Sequence, residues 1–341
     1  MKYGLPVLVS LYFLSSSALL VLNKIAITVF PNASVLLLAQ ITSTVAIITV
    51  VGRLGGYEMR LMPDSQTIKA YSRVSAVFLS TIYSNFKFID IAGVNSFIIL
   101  RCTTPLIVSV LDWLFLNREL PRGQSLISLF GIAIAGTVYA NHKVSVGSQA
   151  ISTVSGSTLA WAVIWLLSFV LDMVYIKHVV DVYKCTGLER TLYQNILAIP
   201  ILFILMQTPM ETSTAHDFFT QGTPKGNLAL LLSCLAGTSL SFSGMTLRSE
   251  LSATAFTVLG IFCKMASSLL NELFVEKERH WVTFGCILLS ITCSAFYKQA
   301  PERIDVIPFP SSYKTAQVPE SNEQEMCKVE NTTLQANPDI V

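Results

Sequence analysis

The sequence predicts an all-α membrane protein: ten transmembrane helices arranged as two inverted repeats of five. Three observations predict it. Of 341 residues, 52% are hydrophobic and 13% charged, about half the charged share of an average soluble domain. The apolar residues fall into ten runs separated by polar breaks, each near the ~20 residues that cross a bilayer as a helix. The fourth and ninth runs also resemble each other. Asn95–Leu100 aligns with Thr254–Leu259, and in the same register Asp112–Phe115 meets Asn271–Phe274 and Glu119 meets Glu278. Two copies of an odd-numbered unit enter the membrane from opposite sides, and such plans place a site near the midplane between the halves.

The runs are centred near Ser15, Val45, Ser80, Ile107, Ile132, Ile164, Ile199, Leu232, Lys264 and Leu289. The first is of full spanning length without a small-residue cleavage site, so it reads as a retained span rather than a signal peptide. Pro31-Asn32 ends it, Arg53 to Arg73 follows the second, Asn117 to Arg122 the fourth, and Lys143 to Ser157 the fifth. These breaks are short, which predicts that consecutive helices lie side by side. The membrane domain covers 1–299, with repeats of about 1–145 and 155–299. From about Ala300 the chain turns to Pro, Ser, Glu, Asn and Thr, too little apolar surface for a second core, so 300–341 is predicted to be a disordered cytosolic tail. Loop lysines and arginines set the orientation. With the N-terminus in the cytosol, that side collects Lys2, Arg53 and Arg60 through Arg248, Lys298 and Arg303, against Lys87, Lys143, Lys225, Lys277 and Arg279 opposite. Both termini are therefore expected to be cytosolic.

The ninth run carries the first functional signal, because Lys264 stands at its centre. A lysine there costs about 2.5–3.5 kcal/mol, and Arg101 in the fourth run raises the same question. A bound anion would compensate both. At helical spacing Thr257, Gly260, Lys264, Ser267 or Ser268 and Asn271 share one side of the ninth helix. Phe256, Leu259, Cys263, Ala266, Leu270 and Leu273 lie mainly on the other. The seventh run opens with Leu192-Tyr193-Gln194-Asn195. Adjacent amides there suit either the hydrogen-bonding edge of a nucleobase or the polar glue that joins membrane helices. In the eighth run Gly237–Gly244 supplies small and hydroxyl side chains, for close packing or for a sugar, with Ser241 the hydroxyl singled out. The seven cysteines lack CxxC spacing, which indicates packing rather than zinc or disulfides. No cofactor, metal or nucleic acid is called for. An intramembrane enzyme is disfavoured, since no His/Glu/Asp cluster stands at metal spacing and Asp112 and Asp172 lack an evident partner.

These residues carry a resemblance to the nucleotide-sugar transporters of the drug/metabolite transporter superfamily, which is related to the triose-phosphate transporters. The GDP-sugar branch, with fungal GDP-mannose transporters and related plant Golgi carriers, is the most similar. The segments that carry it are Val21-Leu22-Asn23-Lys24 with Phe30-Pro31, Arg101 to Pro105 with Leu111-Asp112, Met173 to His178, and Ser252 to Val258. That branch uses Phe-Tyr-Asn-Asn on its seventh helix and Gly-Ala-Leu-Asn-Lys on its ninth. Here Leu192, Tyr193, Gln194 and Asn195 stand at the first and Gly260, Ile261, Phe262, Cys263 and Lys264 at the second. The resemblance implies that the seventh-helix amides recognise the nucleotide and that the ninth-helix motif surrounds sugar and phosphate. Gln194 keeps an amide on a longer arm, whereas Cys263 cannot replace an asparagine as a hydrogen-bonding group. The resemblance further implies an antiporter that imports a GDP-sugar into the Golgi lumen against GMP by alternating access. It allows a homodimer, and the endoplasmic reticulum is the alternative compartment. A UDP-sugar/UMP antiporter of the same fold and a transport-inactive scaffold remain the alternatives.

Overall fold

The computed structural model describes residues 4–29, 33–57, 59–60, 63–145, 156–206, 224–274 and 280–303. The predicted tail lies outside them from residue 304 on, as does the side chain of Lys24. One compact unit, Met1–Glu302, holds all the helices of the described residues. Among the described residues there are nine: α1 (Leu5–Val29), α2 (Ala33–Leu54), α3 (Ser65–Phe115), α4 (Gln124–Ser145), α5 (Gly156–Val182), α6 (Gly187–Met206), α7 (Pro224–Glu250), α8 (Ala253–Phe274) and α9 (Trp281–Phe296). The described residues form no strand, only an isolated bridge between Arg118 and Glu302. Seven helices, namely α1 to α5, α7 and α8, are long and apolar enough to cross a bilayer, and α9 is a shorter apolar helix. Helices suit these apolar runs because a helix satisfies its backbone internally, which lipid cannot do for it.

Every predicted centre falls within a helix. The third and fourth runs belong to one 51-residue element, α3, which breaks at Gly93 (φ 77°, ψ 164°). That backbone region is open essentially to glycine alone, and it divides α3 into arms of residues 65–92 and 94–115. The first arm starts at an N-cap: Asp64 accepts from the Thr67 amide (3.3 Å) and from its hydroxyl (2.5 Å). In the second arm Pro105 has no N–H for the carbonyl of Arg101. The Thr104 hydroxyl donates to that carbonyl instead, at 2.6 Å.

Packing meets the side-by-side expectation only in part: α3 lies on α4 and α8 on α9, but extensive contacts also join α1 to α7, α3 to α5, α4 to α9 and α2 to both α6 and α7, while α1 and α2 meet only briefly. Side chains explain the choice. Polar groups inside an apolar slab are satisfied by partners on other helices, and all but one of the partners here lie far along the chain. Gln40 of α2 donates to Asn23 of α1 (2.7 Å) and to Ser233 of α7 (3.3 Å). Thr81 of the first α3 arm donates to the Ser168 carbonyl of α5 (2.9 Å), and Ser75 to the Gln194 carbonyl of α6 (2.8 Å). Asp112, at the end of the second arm, has the partner that the sequence did not reveal. Its Oδ2 accepts from both the amide (2.8 Å) and the hydroxyl (2.5 Å) of Thr254, holding the first turn of α8. Between the two α3 arms and α5 sits an aromatic stack around Trp165, which is fully buried. Phe88, Phe97 and Phe169 surround it with ring centroids at 6.0, 5.1 and 5.3 Å.

Candidate functional site

A cavity of about 390 Å³ lies among α1, α2, α3, α5, α6, α7 and α8. Of the residues singled out in the sequence, Arg101, Gln194, Asn195, Ser241 and Gly260 line it together. Tyr12, Phe78, Phe86, Phe169 and Phe256 supply aromatic walls. Asn195 donates its amide hydrogens to the Thr191 carbonyl (2.7 Å) and to Ser241 Oγ (2.9 Å). Its Oδ1 remains as the acceptor. The side chain of Gln194 makes no hydrogen bond among the described residues and keeps both functions of its amide. Gly260 sits beside Arg101: a Cβ added there would lie 3.6 Å from a guanidinium nitrogen, so the glycine leaves the cation room at the cavity wall.

The cations are placed by aromatic rings. Arg101 Cζ stands 4.9 Å from the Phe169 centroid, and its Nε is buried without a hydrogen-bond partner. Arg248, which the loop-charge argument counted as cytosolic, also lines the cavity, with Cζ 4.5 Å from the Phe256 centroid. Asp172 is its counter-ion: Arg248 Nη2 lies 3.2 Å from Asp172 Oδ2, and Nη1 donates to the Asp172 carbonyl at 3.3 Å. The buried Lys177 pairs with Asp181 at 2.7 Å and donates to the Arg248 carbonyl at 3.1 Å. A cation over a ring face is held electrostatically while its in-plane N–H groups stay available.

Lys264 does not line this cavity. It is exposed, 5.3 Å from the Phe97 centroid, in a second cavity of about 340 Å³ with Ser267, Ser268 and Glu272. Glu272 is paired with Lys143 at 2.7 Å. Arg101 lines both cavities. Tyr193 and Cys263 line neither. Tyr193 is 2% exposed, meets Tyr71 edge-on at 5.6 Å and donates its hydroxyl to the Arg60 carbonyl; Cys263 is buried. The two-sided reading of α8 therefore changes. Phe256 and Cys263, on the supposed apolar side, are as buried as Thr257 and Gly260, because α8 packs against α3, α9, α1 and α5.

Over 300 residues the chain is 30% identical to GDP-fucose transporter 1 of Arabidopsis thaliana, which covers 85% of this chain and 84% of that protein. The chain belongs to the nucleotide-sugar transporter family. GDP-mannose transporter GONST3 of the same plant is 27% identical over 92% of the chain and 82% of its own length. GDP-mannose transporter 1 of Neosartorya fischeri is 24% identical over 76% and 69%. No family model matches the chain. With transporters as relatives and seven helices long enough to span, this family member is a multi-pass membrane transporter and not an enzyme.

Several members of the cavity escaped sequence reading. Arg248 ends an apolar run, where cations are common, and Tyr12 and Gln40 look like ordinary span residues. A signal was present in Asp172: a carboxylate inside an apolar run demands a cation nearby, and it lies on α7.

Proposed function

We propose that this transporter exchanges a GDP-sugar for GMP by alternating access, carrying the sugar nucleotide into the Golgi lumen. One observation carries the reading: the Gln194 and Asn195 amides and the Arg101 guanidinium meet at a single cavity with aromatic walls. Guanine offers N–H donors next to a carbonyl acceptor. Asn195 Oδ1 answers the donors, and the Gln194 amide can answer both. Arg101 takes the diphosphate with its planar fork. Lys264 reaches the phosphate and sugar portion from the second cavity, across Arg101. Ser241 fixes the Asn195 amide and faces the ligand, while Gly260 keeps the space beside Arg101. Tyr193 and Cys263 act from the packed side, holding their neighbours Gln194 and Lys264 in register. The names of the relatives, GDP-fucose and GDP-mannose transporters, support the choice of nucleotide.

The reading includes ten spans in two inverted repeats, with both α3 arms crossing. Its support is the symmetry of the pairings. Exchanging the halves turns α1 on α7 into α5 on the first α3 arm, and it turns the second arm on α4 into α8 on α9. Cytosolic termini follow from the loop-charge bias, and a homodimer is consistent with the family resemblance.

The test is counterflow in liposomes preloaded with GMP or UMP, using labelled GDP-mannose, GDP-fucose and UDP-sugars. The expected result is uptake of a GDP-sugar driven by internal GMP, with Lys264→Ala lowering it about tenfold or more, as loss of a charged contact of roughly 1.5–3 kcal/mol requires. Uptake driven only by UMP would transfer the reading to UDP-sugars, and none with either would point to a silent member of the family.

A further inference from the structure

We propose that Asp172 is a built-in substitute for the substrate's phosphate: it holds Arg248 in the empty cavity, and an arriving phosphate takes that guanidinium over. The inference rests on the reading above for the nucleotide, though not for the charge class of the ligand. Arg248 lines the cavity and Asp172 does not, so a ligand meets the cation first. The ion pair is weakly made. It uses one carboxylate oxygen at 3.2 Å, longer than the 2.7–2.9 Å usual for charge-assisted bonds. Asp172 Oδ1 is buried and has no hydrogen-bond partner. Phe256 supports the guanidinium through its ring face and consumes none of its donors. A phosphate offers several acceptor oxygens and engages Arg in bidentate fashion, so it outcompetes a carboxylate held by one oxygen. Arg101 repeats the arrangement on Phe169 with an unpartnered Nε, within electrostatic reach of the same Asp172. Two guanidiniums and one carboxylate leave the empty site one net positive charge.

The exchange of partners has a mechanical result. Asp172 is on α5 and Arg248 on α7, helices that touch only over a short stretch. In the empty protein this pair ties them together, beside the bonds from Arg248 Nη1 to the Asp172 carbonyl and from Lys177 to the Arg248 carbonyl. Phosphate on Arg248 removes the first tie, so occupancy biases the freedom of α5 against α7. An exchanger needs that link, because its empty form must not reorient.

The experiment uses the purified full-length protein and three probes: inorganic pyrophosphate, GMP and guanosine, with binding measured by calorimetry. Asp172→Asn removes the competitor and is expected to tighten pyrophosphate and GMP severalfold while leaving guanosine unchanged. Arg248→Gln is expected to weaken both phosphate ligands by about 10–100-fold, the value of one charged contact. In liposomes Asp172→Asn should also release preloaded GMP without external substrate, which the unaltered protein retains. Weaker phosphate binding in Asp172→Asn, equal losses for GMP and guanosine in Arg248→Gln, or no pyrophosphate binding at all would overturn the proposal and make the pair a structural brace. If either variant fails to fold, Asp172→Ser and Arg248→Met carry the same comparison. Should nucleotides fail to bind while pyrophosphate follows the expected order, the phosphate substitute stands and the GDP-sugar reading falls.

Discussion

At the scale of single residues, Arg101 borders both cavities, and its backbone carbonyl accepts from the Thr104 hydroxyl. Arg101→Lys keeps the charge and removes the planar fork and the stacking on Phe169. The expectation is a fall in GMP-driven uptake of about tenfold or more with thermal stability in detergent nearly unchanged; full activity in the lysine variant would show that charge alone suffices. Arg101, Lys264, Gln194 and Asn195 were legible because a charge or an amide inside an apolar run has few innocent explanations. Their distribution was not. Nothing local says that Lys264 and Gln194 belong to different cavities, nor that Asp172 and Arg248, 76 residues apart in sequence, form one pair. Such pairings belong to tertiary packing, which spacing along one helix does not encode.

Elements were legible as apolar runs, and the break between the third and fourth spans depends on one residue. Gly93 adopts a conformation closed to side chains. Gly93→Ala is therefore expected to cost about 1–3 kcal/mol and to lower the melting temperature, and since both arms of α3 line the cavity it should disturb the site as well. Gly285→Ala in α9 is the control, since an added Cβ there meets nothing within 4 Å. Equal melting shifts for both variants would remove Gly93 from this role. Periodicity failed on α8 for a physical reason. A polar stripe facing an apolar one signals lipid on one side, whereas the first half of α8 packs among other helices with both faces buried from Phe256 to Cys263, and only further on do Leu270 and Leu273, on the apolar side, become exposed.

In the whole molecule, chain order and packing agree only in part. Short loops favour sequential packing, as α3 on α4 and α8 on α9 show, but Thr81 and Ser75 find their partners on α5 and α6, and Gln40 reaches α7 as well as α1, so burying polar groups with distant partners shapes the rest of the arrangement. Neither half then has its main partners within itself. Residues 1–145 and 155–299 made as separate polypeptides should each be unstable alone and should assemble when produced together, recovering a monodisperse particle in detergent and some exchange activity. A stable first half on its own would contradict the interlocked pairing. The same pairing shapes the protein's birth on the ribosome. Helix α1 leaves the ribosome about 200 residues before α7, its principal partner, a delay of roughly 10–40 s at 5–20 residues per second. During that interval Gln40 lies in the membrane without Ser233, and Arg101 without Phe169. The early chain must be sheltered at its insertion site, so slowed translation of the second half should raise the fraction that is degraded before completion.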